Sequence, residues 1–398
     1  MRVKLEELVE EVSERTTINN QHPVLTSSRS GIYLQEDYFK KQVASKDNTG
    51  YRVIRKGEFT YRAMSDTGEF YPNKLECTDI GIVSPAYPVF KIKDYRILPD
   101  YLKYYFKSRS FQKSITAFVQ GSTRASMKFG KMKSISIDLP DEDKQNQILN
   151  TIGILENIID KYELEIDHLN NLIKARFVEM FGVPGANSKG WNEIKLGEVC
   201  SLQNGYAFKS SDYINKSGVL NCRMSNIRPD GGFDAEYHPK YLPEEYWDKC
   251  SGYRLFDGDV IIAMTDMASD PKILGVPTIV STNGKKFLLN QRVGKLSFLH
   301  DDRMNRVYLM HSLGQKYIRK ELAKSAAGST QINVGKPAIL NINIYDPPRS
   351  LQDQFATFVA QVDKSKFVLS NELTMCDFYI RLIHDRVMHS RINLRVAQ

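Results

Sequence analysis

The chain is poor in the residues that organise disulfide-linked or zinc-bound domains. Its five cysteines in 398 residues, Cys77, Cys200, Cys222, Cys250 and Cys376, are scattered, odd in number and never spaced as Cys-x-x-Cys. That excludes a disulfide framework or a structural zinc site and leaves small hydrophobes in a reducing compartment. The seven histidines lack any His-Glu-x-x-His spacing. His384 and His389 read as surface residues of a helical tail. No run approaches the ~18 apolar residues of a membrane span, and Met1–Glu7 lacks the apolar core of a signal peptide. A cytoplasmic location is therefore expected.

Signatures of catalysis are missing too. No Gly-x-Ser-x-Gly occurs, and no glycine-rich cofactor loop follows a strand. Asp346-Pro347-Pro348-Arg349 is close to the motif of amino methyltransferases, but Arg349 replaces the aromatic that would stack on a flipped base. The acidic residues of Pro140–Lys144 crowd at a helix start rather than on two strands that could share a metal. Gly328 to Lys336 is too long for a P-loop, and Pro337 follows it. The chain is not expected to be an enzyme by itself, and no metal or cofactor is expected in it.

What is present is said twice. Gly121-Ser122-Thr123 recurs as Gly328-Ser329-Thr330, an offset of 207 (330 − 123). The same offset carries Tyr101-Leu102 onto Tyr308-Leu309, Pro140 onto Pro347, Gln145 onto Gln352 and Gln147 onto Gln354. Upstream the register slips, with Tyr51-Arg52 answering Tyr253-Arg254 and Ala63-Met64 answering Ala263-Met264. The repeat has the size of a domain rather than of a solenoid unit. Hydrophobic content of 41% and mean hydropathy of −0.40 describe a globular chain. A net charge of +8 permits a polyanionic partner without requiring one.

Each copy runs in the same order. A strand-rich stretch (1–95, then about 191–300) leads to an amphipathic helix (Pro99–Val119, then Arg303–Ser325). The Gly-Ser-Thr loop follows, then a short strand (Ile135–Ile137, then Ile342–Ile344), and finally a long helix. In the first long helix Ile148, Ile152, Leu155, Ile159, Tyr162, Ile166, Leu169 and Ile173 alternate steps of four and three. This is a coiled-coil seam, narrower than the apolar face of a helix on a sheet. Gly182-Val183-Pro184-Gly185 ends it. In the second copy the seam reads Phe355, Val359, Val362, Lys366, Leu369, Leu373, Cys376 and Ile380, broken only by Lys366. Two matched seams predict an α+β architecture: two pseudo-twofold-related mixed α/β domains separated by two long antiparallel coiled-coil helices. At about 1.5 Å per residue, Ile148–Phe181 makes a strut of roughly 50 Å.

The loops carry the residue types of nucleic-acid recognition. Ser122, Thr123, Arg124 and Lys128 offer hydroxyls and cations suited to phosphates. The counterpart segment keeps the hydroxyls of Ser329 and Thr330 and carries the amides of Gln331 and Asn333, which read base edges or form turns. Arg29, Arg62, Asn204, Tyr206, Arg223 with Asn226, and Arg228 complete the candidates, all of types that groove readout uses.

Residues 121–124 through Ile135-Ser136-Ile137-Asp138-Leu139-Pro140, Gln147-Ile148 opening a helix that ends Glu179-Met180-Phe181-Gly182, and the repetition of this order resemble the specificity subunit of type I restriction–modification enzymes. The resemblance covers nearly the whole chain. It departs mildly where the family commonly has Glu before the helix glutamine, here Asn146 and Asp353. The resemblance implies target-recognition domains at 1–140 and 183–347, a central spacer helix at 141–182, and a distal helix with C-terminal tail at 348–398. It further implies binding to a bipartite, asymmetric double-stranded DNA target, one half-site per domain, in phage defence. Two methyltransferase subunits using S-adenosylmethionine would dock on it, and through them two restriction subunits using ATP and Mg2+. Two other readings stay open. One is the recognition portion of a stand-alone modification methyltransferase or nuclease; the other is a coiled-coil scaffold with no DNA role, for which no salt-dependent DNA binding is expected.

Overall fold

The computed structural model describes residues 1–39, 45–116, 125–300, 302–328 and 330–386. The chain divides into two compact units, Met1–Glu165 with Leu369–Gln398, and Ile166–Val368. Among the described residues, no helix is long and apolar enough to cross a membrane.

The first unit is built on an antiparallel four-stranded sheet in the order Val9–Glu11, Val89–Ile92, Phe59–Thr60, Asn73–Lys74. Its core gathers Phe59, Tyr61, Phe90 and Phe106 with Tyr101, Ile148 and Ile152. The second unit repeats that sheet as Cys200–Asn204, Val293–Phe298, Val260–Ala263, Pro277–Ile279. It adds another four-stranded sheet, Tyr241–Leu242, Val219–Cys222, Lys286–Leu289, Arg254–Leu255, whose central pair is parallel. In each unit the strand before the long helix pairs with an early strand: Ser136–Asp138 with Arg2–Lys4, and Asn343–Tyr345 with Glu193–Lys195. The strand-rich halves and both short strands lie where the sequence pattern put them.

Each predicted amphipathic helix is instead two. Pro99–Lys107 and Arg109–Thr116 break at Ser108, whose ψ is 150° and whose Oγ accepts from Phe111 N at 3.1 Å. Ser108 thus stops one helix and caps the next, as serine does well at a helix start. Arg306–Leu313 and Lys316–Lys324 break at Gly314-Gln315, and Asn305 caps the first of them through its side chain.

The central helix spans Glu142–Phe181 and stops at Gly182; the distal helix spans Arg349–Arg386. Every position of the central seam is buried or half-buried. Off the seam, Ile154 and Leu164 are 62% and 56% exposed, equally apolar side chains left in solvent. The distal helix behaves alike: its seam from Phe355 to Ile380 is covered, whereas Phe367 is 68% exposed. Burial follows the heptad step, not hydrophobicity alone. Lys366 stays in the seam by turning its ammonium to Asp363 at 3.0 Å, its stem covered and its charge wet.

Both units use the long helices as core elements. In the second unit Phe177 and Phe181 pack on Phe355 with ring centroids 5.4 and 5.5 Å apart, and Arg176 lies over Phe358. The residue order on the two helices there is opposed, so they run antiparallel. In the first unit Ile383 packs on the core that holds Ile148 and Ile152. His384 follows it into that contact and is half-buried, not on the surface as its place in a polar tail suggested. His389 lies outside the described residues.

Gln145 and Gln352 show how closely the copies correspond. Gln145 accepts from Leu98 N (2.8 Å) and donates to Arg96 O (2.7 Å) and Pro140 O (3.0 Å). Gln352 accepts from Asn305 N (2.8 Å) and donates to Arg303 O (3.3 Å) and Pro347 O (2.8 Å). Both are fully buried, and every partner repeats at the offset of 207 (for example 303 − 96). Each amide ties the first turn of a long helix to the backbone that leads into its domain's helix pair.

Candidate nucleic-acid interface

In the second unit several candidates from distant parts of the sequence meet around one turn, 289–292. Tyr206 N donates to Leu289 O (2.8 Å), Gln291 N donates to Tyr206 O (2.9 Å) and Asn290 N donates to Cys222 O (3.0 Å). Thus the ends of Cys200–Asn204 and Val219–Cys222, carrying Asn204, Tyr206 and Arg223, converge on that turn. Gly205 permits it: a Cβ there would stand 2.2 Å from Asn290 O. Tyr206 rests against Phe208 and Tyr253 with centroids 4.9 and 5.4 Å away, so its ring is held by packing.

Beside the turn, Thr265–Met267 pairs with Gln331–Asn333. Thr330 precedes that ribbon, exposed, and its carbonyl accepts from Ala268 N at 3.1 Å. Asn333 uses its amide oxygen on Thr265 Oγ1 (2.6 Å). Gln331 accepts from Arg292 Nη1 at 2.9 Å. Gly328, at φ +129°, opens the segment, and a Cβ there would meet Gln331 O at 1.9 Å, so only glycine fits. Ser329 lies outside the described residues.

Arg228 behaves differently. It pairs with Asp234 and lies 4.1 Å from the Tyr237 ring centroid. Its hydrogen bond holds the Asp234 carboxyl below the usual carboxylate range. Asn226 is buried, accepting from Arg223 N and donating to Asp234 O, each at 2.8 Å. This loop is braced from within, and Asn226 is a brace rather than a reader.

In the first unit Ser122, Thr123 and Arg124 fall outside the described residues. Met127 N donates to Ala63 O at 3.0 Å, which sets exposed Lys128 next to exposed Arg62. Arg29 reaches Glu69 at 3.8 Å and lies 5.2 Å from the Tyr71 ring centroid. Asn73 fastens this loop, donating to Ser28 O (2.8 Å) and Tyr71 O (2.9 Å). Arg62 and Lys128 thus meet beside the pairing of Met64–Ser65 with Ala125–Ser126, while Arg29 sits on the separate loop that Asn73 fastens.

Among the decoys, Asp346 is ion-paired to Arg303 at 2.7 Å, in a depression of about 470 Å³ also lined by Trp191 and Arg349. Arg349 in turn binds Asp353 at 2.8 Å. The Asp-Pro-Pro-Arg segment is a salt-bridged entry to the distal helix. No cluster of three or more His, Cys, Asp or Glu suited to a metal occurs among the described residues. Sequence reading missed Gln291 and Arg292, exposed at the centre of the second unit's cluster. Only the strand pairing that draws them to Gln331 marks them.

Two segments, 29–175 and 188–374, match the type I restriction modification DNA specificity domain. The chain is 28% identical over 352 residues to the type I restriction enzyme MjaVIII specificity subunit of Methanocaldococcus jannaschii, covering 83% of this chain and 79% of that one. To the EcoBI specificity subunit of Escherichia coli it is 26% identical over 187 residues, 44% of this chain and 34% of the relative. A solved chain from a study of complex assembly in a type I R-M system shares the fold, with a TM-score of 0.57 and 17% identity over 98% of each chain. The paired recognition units, each matched by the same domain family, therefore place this chain in the type I restriction–modification specificity family as a non-catalytic specificity subunit with two DNA recognition domains.

Proposed function

We propose that the chain reads a bipartite, asymmetric double-stranded DNA sequence, one half-site per unit, in the cytoplasm. The family acts on DNA with methyltransferase and restriction subunits. On this reading two methyltransferase subunits, using S-adenosylmethionine, assemble on the chain, and two ATP- and Mg2+-dependent restriction subunits join through them. One observation supports the asymmetry. The scaffold positions repeat, as in Gln145 and Gln352, while the recognition positions diverge, with Arg124 in the first copy where Gln331 stands in the second. Equal frames with unequal readers suit two different half-sites.

Domain exchange tests this. Replacing residues 1–140 by the matching region of a relative should change one half of the methylated sequence and leave the other intact. A change in both halves together, or in neither, overturns the assignment.

A further inference from the structure

We propose that Arg292 and Gln331 act as one base-reading pair of the second unit, directed at two successive purines in its half-site. The proposal rests on the DNA-recognition reading above and deepens it.

The two residues come from separate elements, 39 positions apart (331 − 292), and are joined by the 2.9 Å bond from Arg292 Nη1 to Gln331 Oε1. Arg292 is exposed yet fixed at its backbone. Its N–H donates to Asn290 Oδ1 (3.1 Å), and its carbonyl accepts from Met264 N (3.0 Å). Gln331 is fixed by the ribbon register that sets it opposite Met267. Directly opposed residues share a face of the ribbon, so Met267, 44% exposed, stands beside Gln331. The one nearby carboxylate on this ribbon, Asp266, is buried and turned to the backbone, accepting from Leu274 N at 2.8 Å. It leaves the Arg292 charge free to face outward.

The chemistry follows from what remains unengaged. Gln331 keeps its amide N–H groups and a second lone pair, which match adenine N7 and N6–H. Arg292 keeps Nη2 and Nε, whose fork matches guanine O6 and N7. The bond between the two fixes which face each amide atom presents, so the readers are oriented before DNA arrives. Met267 is placed for apolar contact with a neighbouring thymine methyl. Arg228, by contrast, is already held by Asp234 and Tyr237.

The test uses the complex of this chain with its methyltransferase subunits and a panel of duplexes varied at every base of the mapped target. R292A and Q331A are each expected to lose about 5- to 100-fold discrimination, at neighbouring purines of the half-site that follows residues 183–347 in domain exchange. The double variant should lose little more than the worse single one, because the residues act together. R292K, which keeps the charge without the fork, should behave like R292A, with the salt slope unchanged in all four. Uniform weakening on specific and unrelated DNA, with a slope lower by about one, would make Arg292 a phosphate contact and overturn the proposal. So would unchanged discrimination, a loss in the other half-site, or a half-site lacking adjacent purines. Absence of specific binding by the unsubstituted complex would instead defeat the DNA-recognition reading itself, and the proposal with it.

Discussion

Tyr104 and His384 stack with ring centroids 5.6 Å apart, joining the first unit's helix pair to the end of the distal helix. The Tyr104 hydroxyl also donates to Glu156 at 2.8 Å, and His384 Nε2 is buried with no hydrogen-bond partner. At the position equivalent to Tyr104 the second unit places His311 (104 + 207), which packs edge-on against Phe355 at 5.2 Å.

Burial pushes both imidazoles down, from an ordinary 6.5 to about 4. The unfolded chain therefore takes up protons near pH 6.5 that the folded chain refuses until about pH 4. Each unit's stability should be flat near pH 7.5 and fall as pH drops from 6.5 toward 4, with a slope approaching roughly one proton for the one shifted imidazole it holds. Carboxylates held low, such as Asp234 and Asp353, lose their contribution only at lower pH, below their unfolded value of 3.8. Chemical denaturation between pH 7.5 and 5, followed in each unit, measures this, and a His384→Leu variant should flatten the first unit's slope and leave the second unit's unchanged. A slope unaltered by that change would assign the acid sensitivity elsewhere.

Truncating the buried glutamines should be costly. Q145A or Q352A leaves a buried N–H and two carbonyls without partners, at about 2–3 kcal/mol. Each loss should fall on its own unit, so Q145A lowers one transition and spares the other. Denaturation followed by hydrogen exchange in each unit provides the check; a loss under about 0.5 kcal/mol would mean that water replaces the clamp.

Lys128 and Arg124 are expected to contact phosphates. Alanine at either should weaken binding to specific and unrelated DNA alike and lower the salt slope by roughly one per residue. Relaxed preference at a single base, with the slope intact, would instead indicate direct readout.

The long helices are proposed as the ruler between half-sites. A seven-residue insertion near Glu163, matched near Ser370, preserves the heptad and adds about 10 Å, or roughly three base pairs. DNA pitch also turns the far half-site by about 100°, so the preferred spacer should lengthen by up to three pairs. Methylation mapping on a spacer library reads it directly. An unchanged spacer in a folded, active variant would remove the helices from that role.

Legibility followed the range of the interaction. The seam from Ile148 to Ile173 declares itself because neighbours along a helix recur at fixed steps, and burial in the structure keeps those steps. The break at Ser108 did not, because its surroundings are amphipathic on both sides and only the capping bond at Phe111 reveals it. Gln145 and Gln352 were visible as a repeated pair but not as clamps, since their partners are backbone atoms. The recognition turn was least legible. Asn204, Tyr206 and Arg223 carry suggestive chemistry one by one, while Gln291 and Arg292 gain meaning only when Gln331 arrives from far along the chain.

The division of the long helices also has a consequence for synthesis. The unit Ile166–Val368 is continuous in the chain, whereas the other joins Met1–Glu165 to Leu369–Gln398. Domains tend to fold as their sequence emerges. The first-made half, however, carries core positions that Ile383 and His384 cover. The later half can close its core while the earlier one still waits for the last helix. A chain released after ending near residue 368 would then carry one finished reader and one with an open apolar seam, a natural target for chaperones or proteases.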